Sequence, residues 1–270
     1  QPTGGGGNQY FNLNGAQVKN TGVEISLGAD VVKTQDFDWS LNGNVTFVKN
    51  KFTYAPAGQF PMALTGALHG QGTSGAYSQA IAHNQPVNVY YLPIFNGFDK
   101  EGIGIYSATP EYAGDPNPTA FVGFSTDLRW KKLSLNLGAH GSFGNKLYNN
   151  TAMSVINISN INGGRNIASG LVSSGESTAN PITTSTRYLE DGGYIKLHNA
   201  TLKYTFGNLG ALKNFNVYIS GNNLFVISDY KGFDPEVNVD KALNGIPSLG
   251  VDYIGYPTQR TFLLGLSFSL

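Results

Sequence analysis

The last stretch of the chain, residues 261–270, restricts the fold more than any other part of the sequence. Every second position is apolar, at Phe262, Leu264, Leu266, Phe268 and Leu270. A period of two predicts a β-strand with two unlike faces. About ten residues is the length that a tilted strand needs to cross a bilayer, whereas strands of soluble sheets average about five or six. Taken alone, these residues fit both a membrane barrel and the edge of a soluble sandwich.

Composition favours the membrane barrel. Only 13% of the residues are charged, against roughly 25% in an ordinary soluble domain. The 17 basic and 17 acidic residues balance, which argues against a nucleic-acid partner. Cysteine is absent, so disulfide and thiolate chemistry are excluded. No apolar run approaches the ~18 residues of a membrane helix, while 15 Tyr and 16 Phe suit the aromatic girdles of a barrel.

Seven stretches alternate in the manner of long strands, and the connections between them are sorted by length. The stretches are residues 22–32, 37–47, 121–130, 133–143, 194–206, 215–226 and 261–270. Their connections measure roughly 4, 73, 2, 50, 8 and 31 residues, the last counted to about residue 257, which is the pattern of short periplasmic turns and long extracellular loops. A soluble sandwich has no reason for such sorting. We therefore predict an all-β, transmembrane antiparallel β-barrel with long extracellular loops and no enzymatic chemistry.

The number of strands predicts that more of the barrel lies outside this sequence. Seven strands are odd in number and too few for a single-chain barrel of 8 or more, and an open sheet edge is not tolerated in lipid. Residues 1–8 are Gly-rich and read as the middle of a loop. Residues 1–270 are expected to be one part of a longer protein. An independent smaller pore remains the alternative, as does a soluble glycan-binding or glycan-hydrolysing β domain.

Ordered segments of the sequence resemble the SusC/RagA family of TonB-dependent outer-membrane transporters. They are NTGVEISL at 20–27, DFDWS at 36–40, NVTFVKN at 44–50, GYIKLHNATLKYTF at 193–206, SGNNLF at 220–225, YKGFDPE at 230–236 and YPTQRTF at 256–262. Together the similar regions extend over about residues 14–52 and 110–270. The terminal Leu270 departs from the aromatic residue with which such barrels commonly end.

The resemblance implies a function that the residues alone do not. It implies the C-terminal part of a barrel of about 22 strands, whose plug domain and early strands are absent from this chain. It implies TonB-dependent nutrient uptake of oligosaccharides or peptides through the outer membrane of a Bacteroidota-type bacterium. The implied partners are TonB, a SusD-like surface lipoprotein, the N-terminal barrel and plug, and outer-membrane lipid. No cofactor is implied.

Aromatic residues in the long loops are the candidate ligand contacts. Long loops on a rigid scaffold commonly carry recognition, and their rings can stack on a glycan or peptide. They are Tyr90, Tyr91, Phe95, Phe98, Tyr106 and Tyr112. The same rings can instead pack the loops together or form a partner interface.

A second candidate is the motif at 230–236, which contains Tyr230, Gly232, Asp234, Pro235 and Glu236. We interpret it as structural, because glycine permits a tight bend and proline fixes the turn that follows.

Other reactive side chains show no arrangement typical of catalysis or metal binding. His69, His83, His140 and His198 are scattered without ligand spacing. The acidic loop residues near 99–101 and 115–117 match no EF-hand, and turn formation is the simpler interpretation. Ser74 lacks the spacing of a nucleophile elbow. We expect no catalytic, cofactor or metal residue.

Overall fold

The computed structural model describes residues 15–55, 61–70, 73–237 and 248–270. The Gly-rich opening at 1–8 lies outside these ranges. The first eight strands are β1 (Ala16–Lys33), β2 (Phe37–Tyr54), β3 (Ala63–Ala67), β4 (Tyr77–Ile81), β5 (Val89–Leu92), β6 (Phe95–Phe98), β7 (Gly104–Tyr106) and β8 (Glu111–Gly114). The rest are β9 (Ala120–Trp130), β10 (Leu133–Phe143), β11 (Lys146–Asn149), β12 (Leu189–Asp191), β13 (Tyr194–Leu209), β14 (Leu212–Ser228), β15 (Val251–Asp252) and β16 (Thr261–Ser269).

In the described residues, helical structure is short and lies between β11 and β12. One α-helix, α1, spans Asn150–Ser154, and Asn149 caps it by accepting a hydrogen bond from the Ala152 amide. Three 3₁₀ segments follow at Ile158–Gly163, Ser169–Leu171 and Thr186–Tyr188. Within the described ranges, no helix is long and apolar enough to cross a membrane.

The seven long strands form one antiparallel sheet, which the sequence predicted. Its order is β1-β2-β9-β10-β13-β14-β16, so each long strand pairs with the next long strand in the chain. Several strands are longer than their alternation indicated, since β1 begins at Ala16 and β2 continues to Tyr54. The additional residues lie mainly at the end where the long loops leave.

Side chains of the long sheet separate into an apolar and a polar face. Paired residues on neighbouring strands share a face, so rows can be followed across all seven strands. One row contains Leu264, Ile219, Leu202, Leu135, Leu128, Trp39 and Val32. The adjacent row contains Leu263, Ser220, Thr201, Asn136, Asp127, Ser40 and Asp30. The first row is wholly apolar, yet Leu264 is 73% exposed.

Short and long connections lie at opposite ends of this sheet, as predicted. The short turns are 34–36, 131–132 and 210–211, and the long excursions are 55–119, 144–193 and 229–260. Lys131 adopts a positive φ of 53° in its two-residue turn, a conformation that such tight hairpins require. We refer to the two ends as the short-turn end and the long-loop end.

In sequence, residues 50–120 and 147–192 are largely irregular, with possible short strands near 87–92 and 104–107, and the structure has strands β5 and β7 at these two places. They form a loop assembly with three small sheets, ordered β3-β4-β5-β8, β12-β11-β15 and β6-β7. Its core consists of Leu68, Tyr90, Leu92, Tyr148, Met153, Tyr188 and Val251. These strands are three to five residues long, apart from β15 with two, so the alternation of most of them is too brief to recognise in sequence.

Candidate functional site

The polar face of the long sheet carries a charged recess near the short-turn end. Arg129 of β9 donates to Asp38 of β2 from Nε at 2.8 Å, and its Nη2 lies 2.5 Å from the same oxygen. Asn136 donates to Asp127 at 2.8 Å. A cavity of about 430 Å³ opens beside these groups, and Lys33 and Lys203 also line it. The charged and polar side chains around this cavity suit contact with polar or charged molecules.

Nearer the long-loop end, two histidines lie side by side on the polar face. Nδ1 of His140 lies 3.0 Å from Nδ1 of His198, and the Nε2 of His140 is 2.8 Å from Glu236 Oε1. Because a carboxylate only accepts, His140 Nε2 carries a proton and donates it. In neutral His140, Nδ1 then accepts from the Nδ1–H of His198.

Glu236 connects this wall to the segment that follows β14. Its carboxylate accepts from His140, from the Tyr194 hydroxyl at 2.9 Å and from the Lys196 ammonium. The Lys196 side chain is only 6% exposed, and Asp234 lies 4.0 Å from its Nζ. Two strands, β10 and β13, therefore hold one loop carboxylate by three donors.

The carboxylates of Glu236 and Asp234 stay ionised at lower pH than ordinary Glu and Asp side chains, because the pKa of each is lowered. Burial alone raises the pKa of Glu236, but the hydrogen bonds from Lys196, His140 and Tyr194 outweigh it and lower the pKa. Burial likewise raises the pKa of Asp234, and donors from Thr258 and the Glu236 amide outweigh it, so that this pKa is also lowered. Each carboxylate is thus a fixed negative charge at neutral pH.

The motif at 230–236 is folded back on its own residues and on the loop assembly. The Tyr230 hydroxyl donates to Asp252 at 2.7 Å, and the Lys231 amide donates to Glu190 at 2.7 Å. A Cβ at Gly232 would lie 2.3 Å from the Tyr230 ring, so only glycine fits beneath that ring. The structure records no positive φ for Gly232, so close approach rather than backbone freedom requires glycine. Pro235 is buried. The motif's role beyond these contacts stays a prediction.

The predicted loop aromatics fall into three environments. Tyr90 is fully buried, and its hydroxyl donates to the carbonyl of Gly250 at 2.6 Å. Burial raises its pKa far above the ordinary value. Since the Tyr90 ring has no accessible surface, we do not extend the ligand-contact hypothesis to it.

Tyr91 and Tyr112 form a tilted pair with centroids 5.3 Å apart, and Tyr112 is 48% exposed. For Tyr91 and Tyr112, ligand contact stays a prediction.

The remaining three rings surround a buried ion pair. Phe95 contacts Phe98 and Tyr106, with centroids 5.1 and 5.7 Å away. The guanidinium of Arg187 lies 4.8 Å from the Phe98 ring centroid. It forms a bidentate salt bridge with the Glu176 carboxylate. These contacts join residues from 95–106 to residues from 176–187. For these three rings as well, ligand contact stays a prediction.

A polar cleft opens on the surface of the loop assembly. It has a volume of about 750 Å³, within the range of small-molecule sites. The residues that line it are mainly hydroxyl and amide side chains together with one cation, namely Ser154, Ser159, Asn160, Asn162, Arg165, Thr178 and Asn180. Such a lining offers hydrogen bonds to hydroxyl-rich or peptide-like ligands and no apparatus for bond breaking.

Metal binding gains no support from the residues that the structure describes. Among them, no group of three or more His, Cys, Asp or Glu side chains is arranged to hold a metal ion. His69 lies in the loop assembly, where its ring is 5.2 Å from Tyr253, and His83 Nδ1 accepts from the Tyr54 amide.

Sequence reasoning missed the cluster around Glu236, although it had assigned its members to strands or to the motif. His140 and Lys196 are directly paired between β10 and β13, and both occupy polar positions. Two irregularities in register, after Gly138 and after Leu197, decide which side chains meet. Bulges of this kind redirect side chains and leave little signal in the sequence pattern.

Known proteins with related sequences are TonB-dependent receptors. The chain is 28% identical over 301 residues to TonB-dependent receptor P3 of Formosa agariphila, covering 93% of this chain. It is 27% identical over 299 residues to TonB-dependent receptor SusC of Bacteroides thetaiotaomicron, covering 98% of this chain. In each case it spans 28% of the relative's length. No family model matches the chain.

Among solved structures, the fold is similar to part of the RagAB peptide transporter. The superposition has a TM-score of 0.73 at 20% identity and covers 94% of this chain and 30% of that chain. The structure of the RagAB peptide importer in the closed-closed state gives a TM-score of 0.70. The predicted fold class, a portion of a transmembrane antiparallel β-barrel, and the resemblance to SusC/RagA-like TonB-dependent receptors are both confirmed.

Proposed function

We propose that this SusC/RagA-like chain forms the C-terminal part of a TonB-dependent importer in a bacterial outer membrane. Its seven long strands supply barrel wall, and its long excursions supply the extracellular surface. The remaining strands and a plug domain would come from the part of the relatives' length that this chain does not span. The chain performs no covalent chemistry in this proposal.

The observation that carries the proposal is the coincidence of two patterns on one sheet. A row of apolar side chains crosses all seven strands on one face, and the adjacent row on the other face is polar on every strand except β16. The short turns all lie at one end of the same sheet. A barrel wall between lipid and a water-filled path requires one apolar face and one polar face. An outer-membrane barrel also has its short turns on the periplasmic side and its long loops on the extracellular side. The short-turn end is then periplasmic.

The imported substrate is proposed to be an oligosaccharide or a peptide. Support comes from the hydroxyl- and amide-lined cleft of about 750 Å³, which offers donors and acceptors to either class. The similarity in fold to the RagAB peptide transporter favours the peptide, and the resemblance to the SusC/RagA family is compatible with either class. We further propose that a SusD-like surface lipoprotein covers the long-loop end and that TonB supplies the energy through the plug.

Uptake by the native organism tests the proposal. The gene that encodes this chain is deleted and then restored, and cells are offered a fluorescent oligosaccharide mixture or a fluorescent peptide mixture. We expect uptake of one probe to disappear on deletion and to return with the gene, and to require an active TonB system. Equal uptake of both probes with and without the gene, or recovery of the protein in the detergent-free soluble fraction, would overturn the proposal.

A further inference from the structure

A single carboxylate attaches the segment after β14 to the polar face of the wall. Glu236 accepts from Tyr194 and Lys196 of β13 and from His140 of β10. These donors come from two adjacent strands of the long sheet. Because charge-assisted hydrogen bonds are about twice as strong as neutral ones, this one side chain concentrates much of the attachment.

The charges of the cluster make the attachment sensitive to loss of Glu236. The Lys196 side chain is 6% exposed and faces two carboxylates, Glu236 and Asp234. Without Glu236, the carboxylate that remains near Lys196 is that of Asp234, with an oxygen 4.0 Å from Lys196 Nζ. A nearly buried cation that loses its close partner is strongly unfavourable. The segment therefore has to rearrange or the lysine has to move.

Asp234 joins the beginning of the excursion 229–260 to its end. Its side chain accepts from the Thr258 amide at 3.0 Å and from the Thr258 hydroxyl at 2.6 Å. It also accepts from the Glu236 amide at 3.0 Å. Because Asp234 contacts both Glu236 and Thr258, a displacement of Glu236 also displaces Thr258, which lies shortly before β16.

We propose that Glu236 is a positioning residue, a latch that holds residues 229–237 against the polar face and so sets how far these residues extend into the import path. This inference rests on the proposed import function, because only then does the polar face line a path. Phe233, which is 63% exposed, lies in the held segment, so its position in the path follows that of Glu236.

The first test is hydrogen–deuterium exchange on the complete receptor in detergent, read from peptides covering 229–237. Glu236→Gln keeps the size of the side chain and removes its charge. We expect exchange of these peptides to become about tenfold faster, since local opening sets the rate, while β9 and β10 stay protected. The matched control is Glu101→Gln, an exposed carboxylate in the turn between β6 and β7, for which exchange should not change. Unchanged protection in Glu236→Gln would overturn the latch.

A double variant separates the latch from misfolding. Glu236→Met with Lys196→Met removes the closest charge pair together, so the lysine is not left buried without its partner, and Asp234 keeps its hydrogen bonds from Thr258. We expect the amides of β13 and β14 to stay protected and those of 229–237 to lose protection. Retained protection of 229–237 in this variant would contradict the assignment of the latch to these charges.

Uptake of the same fluorescent probes then tests the effect on the path. We expect at least a threefold change of uptake in Glu236→Gln relative to Glu101→Gln, at equal receptor abundance. Loss of protection with unchanged uptake would overturn the positioning role. Absence of uptake in the wild type would overturn the proposed function instead, and the exchange experiment would still decide whether the attachment exists.

Discussion

The long sheet and the loop assembly bury apolar surface in opposite ways. The loop assembly has its own core, in which Tyr90, Leu92, Tyr148, Met153 and Val251 are 0% exposed. In the long sheet the apolar face is exposed, and residues on it such as Leu27 and Leu264 are 75% and 73% exposed. The loop assembly is thus stabilised in water by its own packing, whereas the wall needs lipid against its apolar face.

The largest effect is expected from the core of the loop assembly. Met153→Ala removes a fully buried side chain that accepts a hydrogen bond from the Tyr148 hydroxyl, and such truncations cost about 2–5 kcal/mol. We expect the loop assembly to become sensitive to protease while the long strands stay inserted, as measured by limited proteolysis of intact cells. Val172→Ala, at a position 77% exposed, is the control. Simultaneous loss of the wall would show that the two regions are not independent.

A charge placed on the apolar row tests whether this face of the long sheet lies against lipid. Leu264→Arg places a cation on the lipid side of β16, which costs about 2–4 kcal/mol near the middle of a bilayer. Ser267→Arg places the same cation on the polar face of the same strand, where we expect a cost below about 1 kcal/mol. Urea unfolding of the receptor in lipid vesicles measures both. Equal costs would contradict the assignment of the faces.

A third prediction concerns the junction of the two regions. Gly232→Ala forces the buried Tyr230 ring away from its position, because the added Cβ would lie 2.3 Å from it. We expect a cost of about 1–3 kcal/mol from this overpacking and loss of the hydrogen bond to Asp252. Gly163→Ala is the control, because a Cβ there meets nothing within 4 Å. Thermal unfolding of the two variants should therefore differ, and identical melting would show that the ring is not held.

The smallest effect is expected from pH. The pKa values of Glu236 and Asp234 are lowered from 4.5 and 3.8 in the folded protein. Their stabilisation is therefore complete above those ordinary values and is lost as pH falls through the lowered ones. The protection factor of the amides in 229–237, which is the exchange rate corrected for its intrinsic pH dependence, should fall below about pH 4 in the wild type and should change less with pH in Glu236→Gln. A protection factor that falls when the pH is raised from 5 to 7 would contradict this sign.

The sequence by itself determined the wall. Alternation over about ten residues is a local property, and it located all seven long strands, their two faces and the sorting of the turns. The hairpin at 131–132 shows why this succeeds, because a two-residue turn leaves only one register for β9 and β10. With longer connections, register depends on contacts that the local pattern does not contain.

Only the tertiary structure decided the loop assembly and the cluster at Glu236. Tyr90 was a candidate ligand contact because it is aromatic and lies in a loop, yet packing against residues more than fifty positions away buries it. His140, Lys196 and Glu236 meet across 96 positions of sequence. Their approach depends on the register irregularity at His198 of β13 and on the return of a long excursion, and such contacts arise from chain closure rather than from local periodicity.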